Sequence, residues 1–119
     1  MNNISQSELE IMKVLWKEGE STSIDIVKNV QKTNTWKHNT IMTLVSRLVS
    51  KGCIEVLRDK GNLLVYRPLV EEQMYKEEQT QSFLDKMYEG SLNSMLASFA
   101  KSKKLTKKDL EDLMNLIDE

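Results

Sequence analysis

The sequence predicts a mainly α-helical chain carrying one small β-hairpin, and three observations carry that prediction. Three segments with apolar residues at helical spacing fill the chain up to Gly52. Two short β-rich runs follow, separated by a Gly-Asn turn. Beyond Pro68 every apolar pattern is helical again.

Each element has a local reason. Ser5 and Glu8 stand at capping-box spacing, with Ile4 and Leu9 placed as a hydrophobic staple. The first helix then presents Leu9, Met12, Leu15 and Trp16 on one face and stops at Glu18-Gly19. Ser21 or Thr22 can cap a second helix, whose expected buried stripe is Ile24, Val27 and Val30. The polar run Lys32–Thr35 interrupts the pattern. A third helix is expected from about Lys37 to Lys51, with Ile41, Leu44, Val45 and Leu48 in one apolar arc and Gly52 as its stop. The strands are expected at Ile54–Arg58 and Leu63–Arg67, joined through Asp59-Lys60-Gly61-Asn62, and Pro68 ends the second.

Three helices and a hairpin in this order form a winged helix-turn-helix, because short connections force the three stripes onto one core. Residues 1–68 are assigned to it and residues 69–119 to a helical dimerisation region. In the latter, a mostly charged helix over Val70–Tyr88 gathers its apolar residues late, at Phe83, Leu84, Met87 and Tyr88. Leu92, Met95, Leu96 and Phe99 form another stripe after Gly90-Ser91. Leu105-Thr106 and Asp109-Leu110 then open a last helix bearing Leu110, Leu113, Met114 and Ile117. Three short amphipathic helices have little chance of a sufficient core alone, so pairing with a second copy is expected; the competing arrangement is packing back onto the first part as a monomer.

Composition narrows the function. The chain has 119 residues, 39% of them hydrophobic, and no apolar run near the roughly 18–20 residues that span a bilayer. The polar opening Met1–Ser7 gives no sign of a secretory signal, so a cytoplasmic location without membrane insertion is expected. Cys53 is the single cysteine and reads as a small core hydrophobe; no disulfide framework, metal cluster or cofactor site is expected. The net charge of −1 hides an asymmetry, +3 over residues 1–67 and −4 over 68–119, which favours an anionic partner for the first part. No nucleotide-binding or zinc-protease motif and no convergent set of titratable groups occur, so no catalytic residue is assigned and an enzyme is not expected.

The third helix is the candidate interface. No Asp or Glu occurs between Lys37 and Lys51. Its polar side carries Asn39, Met42, Thr43, Ser46 and Ser50, flanked by Thr40, Arg47 and Lys51. Asn can read adenine, and Met and Thr methyls can touch thymine, so Asn39, Met42 and Thr43 are assigned to bases. Lys37, Thr40, Arg47 and Lys51 are assigned to phosphates; Arg58, Lys60 and Arg67 of the wing can reach the adjacent backbone or minor groove, or stand as ordinary solvated hairpin charges. His38, beside the helix start, is read as either a phosphate contact or an ordinary surface residue. The competing reading is a winged-helix protein-interaction module without DNA binding; it calls for acids on the third helix.

Two strings resemble a known family. Ile4-Ser5, Glu8, Ile11-Met12 and Trp16, followed by Asn39-Thr40-Ile41, Thr43-Leu44-Val45-Ser46-Arg47-Leu48 and Lys51-Gly52, are similar to the penicillinase repressor (BlaI/MecI/CopY) family. Phe83-Leu84, Tyr88, Gly90 and the Leu105–Ile117 ending extend the likeness over nearly the whole chain. The resemblance implies a dimeric winged-helix repressor on a palindromic double-stranded operator, often upstream of β-lactam resistance genes. It implies DNA contacts from Thr40, Thr43 and Arg47 and dimerisation from Val70 onward. In the β-lactam branch it implies inactivation by a cut at an Asn-Phe bond, linked to a membrane sensor-protease. Here Ser98-Phe99 stands at that bond. Asn39 and Met42 stand where some members have Lys and Arg, and Lys37 replaces the usual Ser/Thr cap. The cysteine cluster of the copper-responsive branch is missing from this sequence, so copper sensing is not expected.

Overall fold

The computed structural model describes residues 3–58 and 61–117. The elements run α1 (Gln6–Glu18), β1 (Ser21–Thr22), α2 (Ser23–Val30), α3 (His38–Ser50), β2 (Ile54–Arg58), β3 (Leu64–Pro68), α4 (Glu72–Tyr88), α5 (Leu92–Lys101) and α6 (Lys107–Ile117). They form two compact units, one through residue 75 and one from residue 76.

The first unit is a winged helix. The capping box of α1 is closed in both directions: Glu8 N–H donates to Ser5 Oγ at 3.1 Å, and Ser5 N–H to Glu8 Oε1 at 2.9 Å. Gly19 ends the helix at φ +80°, a conformation glycine adopts without a Cβ penalty. Thr22 is the residue that caps α2, accepting from Asp25 N–H at 3.3 Å. Ser21 and Thr22 also form a short strand, unforeseen in the sequence, that pairs Ser21 with Tyr66 and Thr22 with Val65. The sheet is therefore three-stranded and antiparallel in the order β1-β3-β2.

The core between helices and sheet includes Ile11, Met12, Leu15, Ile41, Leu48 and Cys53, all fully buried. The expected stripe of α2 needs correcting. Ile26, Val27 and Val30 are buried, whereas Ile24 is 73% exposed. At about 100° per residue the three buried side chains span an arc of about 100°, and Ile24 falls about 60° past its Val27 edge.

The third helix starts at His38 with Lys37 as an N-cap that makes no side-chain hydrogen bond. In the hairpin, β3 begins one residue later than expected and runs through Pro68, which faces Ile54. Proline is tolerated there because β1 pairs only with Val65 and Tyr66, so the missing N–H falls beyond its reach. This register opposes Glu55 to Arg67 and Arg58 to Leu64.

Past β3 the chain stays tied to the first unit for one more turn. Trp16 Nε1–H donates to the Val70 carbonyl at 2.8 Å, and its ring lies 5.6 Å from that of Tyr75. The α4 helix begins at Glu72, two residues later than expected.

The second unit is all helix. Glu89 and Gly90, both at positive φ, turn the chain after α4, and Gly90 N–H caps the Leu84 carbonyl at 2.9 Å. Ser91 caps α5 through Ser94 N–H at 3.1 Å. Thr106 and Asp109 close the expected capping box at 3.1 and 2.9 Å. Leu84 is the unit's one buried apolar side chain among the described residues; α5 and α6 bury none.

Candidate nucleic-acid interface

The α3 helix is fastened to the core along one arc and open along the rest. Ile41, Leu44, Val45 and Leu48 are buried, while Lys37, His38, Asn39, Thr40, Thr43, Ser46, Arg47 and Ser50 are exposed. The turn entering it is pinned from α2: Asn34 Nδ2–H donates to the Val30 carbonyl at 3.2 Å, and Gln31 Nε2–H to the Trp36 carbonyl at 3.1 Å. Those bonds hold the first turn of α3, which has no acid, at the surface.

The open face is polar and short-chained. Thr43 Oγ donates back to the Asn39 carbonyl at 2.8 Å, which ties the hydroxyl to the helix's own backbone. Among the described residues neither Arg47 nor Arg58 makes an ion pair, so both guanidinium groups are free to meet an outside anion. Such a face can approach a phosphate backbone closely without a carboxylate to repel it.

Two residues expected to contact DNA are already occupied. Lys51 Nζ lies 2.6 Å from Glu8 Oε1 and 2.7 Å from the Asn3 carbonyl, on the α1 side of the unit. Glu8 is nearly fully buried, so Lys51 neutralises a core carboxylate. Burial pushes the Glu8 carboxyl up, but hydrogen bonds from Lys51 and Ser5, with the lysine charge, outweigh it and hold the group below its ordinary 4.5. Arg67, expected at the backbone or minor groove beside the wing, is paired to its cross-strand neighbour Glu55, with Glu20 at 3.8 Å. The hairpin register would have revealed that second pair. Nothing in the sequence marks the first, because Lys51 and Glu8 are 43 residues apart.

Met42 is the other departure. It is half-buried, displaced from the open face toward the hairpin, where it lines a cavity of about 210 Å³ with Val45, Ser46, Val49, Val56, Leu64 and Tyr66. Lys60 lies outside the described residues. Cys53 is fully buried, and burial pushes its thiol up, as suits a core hydrophobe.

The residues expected at a dimer interface divide. Leu84 is buried within its own chain, and Tyr88, Met95 and Leu96 are half-buried. Phe83, Met87, Leu92, Phe99, Leu110, Leu113, Met114 and Ile117 are exposed, Ile117 to 79%. The Ser98-Phe99 bond sits inside α5, where the Ser98 carbonyl accepts from Ser102 N–H at 3.1 Å. No described helix is long and apolar enough to cross a membrane.

Known proteins resemble this sequence, and solved structures resemble part of this fold. The chain is 36% identical over 116 residues to a penicillinase repressor of Bacillus licheniformis, covering 98% of this chain and 90% of that protein. It is 32% identical over 114 residues to the methicillin resistance regulatory protein MecI of Staphylococcus aureus, covering 96% and 92%. Among solved structures, it is similar to the B. licheniformis BlaI monomeric form in complex with the blaP half-operator. That match has 38% identity and a TM-score of 0.54, over 60% of this chain and 85% of the other. A solved DNA-binding domain of BlaI matches with the same TM-score. The penicillinase repressor family model matches residues 4–119, and with likeness of that extent the chain belongs to the penicillinase repressor family.

Proposed function

We propose that this chain is a transcriptional repressor that occupies a palindromic double-stranded operator as a homodimer, in the manner of the β-lactam-resistance repressors. The observation that carries the reading is the open, acid-free face of α3 on a winged-helix unit. Thr43 and Ser46 lie outward on it; beneath other parts of the chain they could not meet DNA. The likeness to a protein solved with its half-operator supports the same conclusion. A cytoplasmic location goes with that role.

Asn39 and Thr43 meet base edges; Lys37, His38, Thr40, Ser46 and Arg47 meet phosphates or the rims of bases; Arg58 and Lys60 reach the backbone beside the hairpin. Lys51 and Arg67, occupied within the chain, take no direct part. Phosphate contacts dominate the affinity, so binding weakens steeply with salt.

The second unit supplies the dimer. The large apolar side chains exposed around a unit with one buried leucine among its described residues exceed what a solitary domain shows, and a second copy covers them. Repression ends when the two copies separate, since one half-site alone binds too weakly. A sensor-linked protease acting here would work by undoing that pairing. A cut at Ser98-Phe99 requires the last turns of α5 to open first, because proteases take an extended backbone. The test is a gel shift on DNA from the gene's own promoter at two salt concentrations, with an Arg47→Glu control. Retardation at low salt, abolished in the control, supports the reading. A wild-type protein that leaves the DNA unshifted at low salt overturns it.

A further inference from the structure

We propose that Met42 is a specificity-determining residue, selecting thymine at one position of each half-site by packing its thioether on the base's 5-methyl group. This rests on the DNA-binding reading above and adds the chemistry of the base. The trough holding Met42 lies between α3 and the hairpin. Strand alternation puts Val56 and Arg58, with their partners Tyr66 and Leu64, on one face of the hairpin. Val56 and Leu64 remain 37% and 41% exposed, so apolar surface borders the open polar face of α3. On the helix, Met42 falls between outward Ser46 and inward Val49 at about 100° per residue. Met42 therefore stands at the border between the apolar trough and the open polar face.

The chemistry of the partner follows by elimination. In the major groove the base edges present hydrogen-bond donors and acceptors, and thymine alone adds an apolar group, its 5-methyl. Donors and acceptors laid on this trough would lose water without gaining a partner, because Ser46 is its only polar side chain besides the Tyr66 phenol. Among the described residues the trough's own lining holds no cation for a phosphate. The thymine methyl loses nothing, and a flexible, polarisable thioether follows its shape. Packing on deoxyribose carbons would be indifferent to sequence, and that is the alternative the experiment separates.

The experiment uses the full chain. Preferred half-sites are selected from a random duplex pool, and each thymine is then replaced singly by dU, which removes the methyl and keeps the pairing. Wild type should bind about fourfold more weakly at one dU per half-site, the worth of one buried methyl group. In Met42→Ala that penalty should disappear at that thymine alone, and in Met42→Leu it should persist, which separates base recognition from folding. A scan in which no thymine is penalised, or in which the penalty survives in Met42→Ala, overturns the assignment while DNA binding stands. A pool from which wild type selects nothing overturns the DNA-binding reading itself, and this inference with it.

Discussion

Replacing Lys51 by methionine keeps most of the stem and removes the ammonium that faces Glu8. The Glu8 side chain is 3% exposed and that of Lys51 35%. Breaking a fully buried pair by removing one partner costs about 3–5 kcal/mol. Two features lower that here: water reaches the lysine side, and Ser5 N–H still donates to the carboxylate at 2.9 Å. A loss of about 2 kcal/mol at neutral pH is expected, a large share of the roughly 5–15 kcal/mol typical of a folded domain. Urea unfolding followed by the fluorescence of Trp16 and Trp36, at fixed protein concentration, reads it directly. The same variant discriminates the lysine's two assignments. If Lys51 held a phosphate, removing its charge from both protomers would flatten the slope of log affinity against log salt by about 1.8. A lysine engaged with Glu8 leaves that slope unchanged. A variant as stable as wild type with a flattened slope would refute the reasoning.

Other outcomes follow from the same geometry. Because the folded Glu8 carboxyl titrates below its ordinary 4.5, its contribution is complete above that pH and is lost as pH falls through the lower folded value. Acid unfolding of Glu8→Gln against wild type should show the two converging there, and a gap that widens toward acid would be contrary. Trp16→Phe keeps a ring against Tyr75 but removes the donor to Val70, which should cost about 1 kcal/mol in denaturant unfolding. Leu113→Asp places a charge among the exposed apolar residues of α6 and should yield monomers in analytical ultracentrifugation while the helical circular dichroism of the first unit persists. Ile24→Ser, at a position already facing water, should change stability by less than about 0.5 kcal/mol.

Most of the fold was legible because its signals are local. The two capping boxes, the apolar arc of α3 and the glycine stops each depend on residues within a turn or two of one another, and each forms as expected. What escaped depends on distance. A two-residue strand carries no periodicity, so Ser21-Thr22 read only as a cap until β3 lay beside it. Ile24 has helical spacing to Val27, but which edge of an arc faces the core is decided by α1 and α3. Within the candidate site, the open face of α3 was readable from the missing acids. The occupation of Lys51 by Glu8, and of Arg67 by Glu55, was not, since charge in a sequence carries no partner. Met42 lies close enough to the open face for the wheel to include it, and only the hairpin's position shows that it also borders an apolar trough.

Amide mapping of the DNA-bound surface puts the interface to the most direct trial. The isotope-labelled full chain is titrated with a duplex from its promoter region, and backbone shifts are followed residue by residue. The largest changes are expected from Lys37 to Arg47 and at the hairpin around Arg58, with α1 nearly still. Changes gathered instead on α5 and α6, or none at saturating duplex in low salt, would contradict the assignment of α3 to DNA.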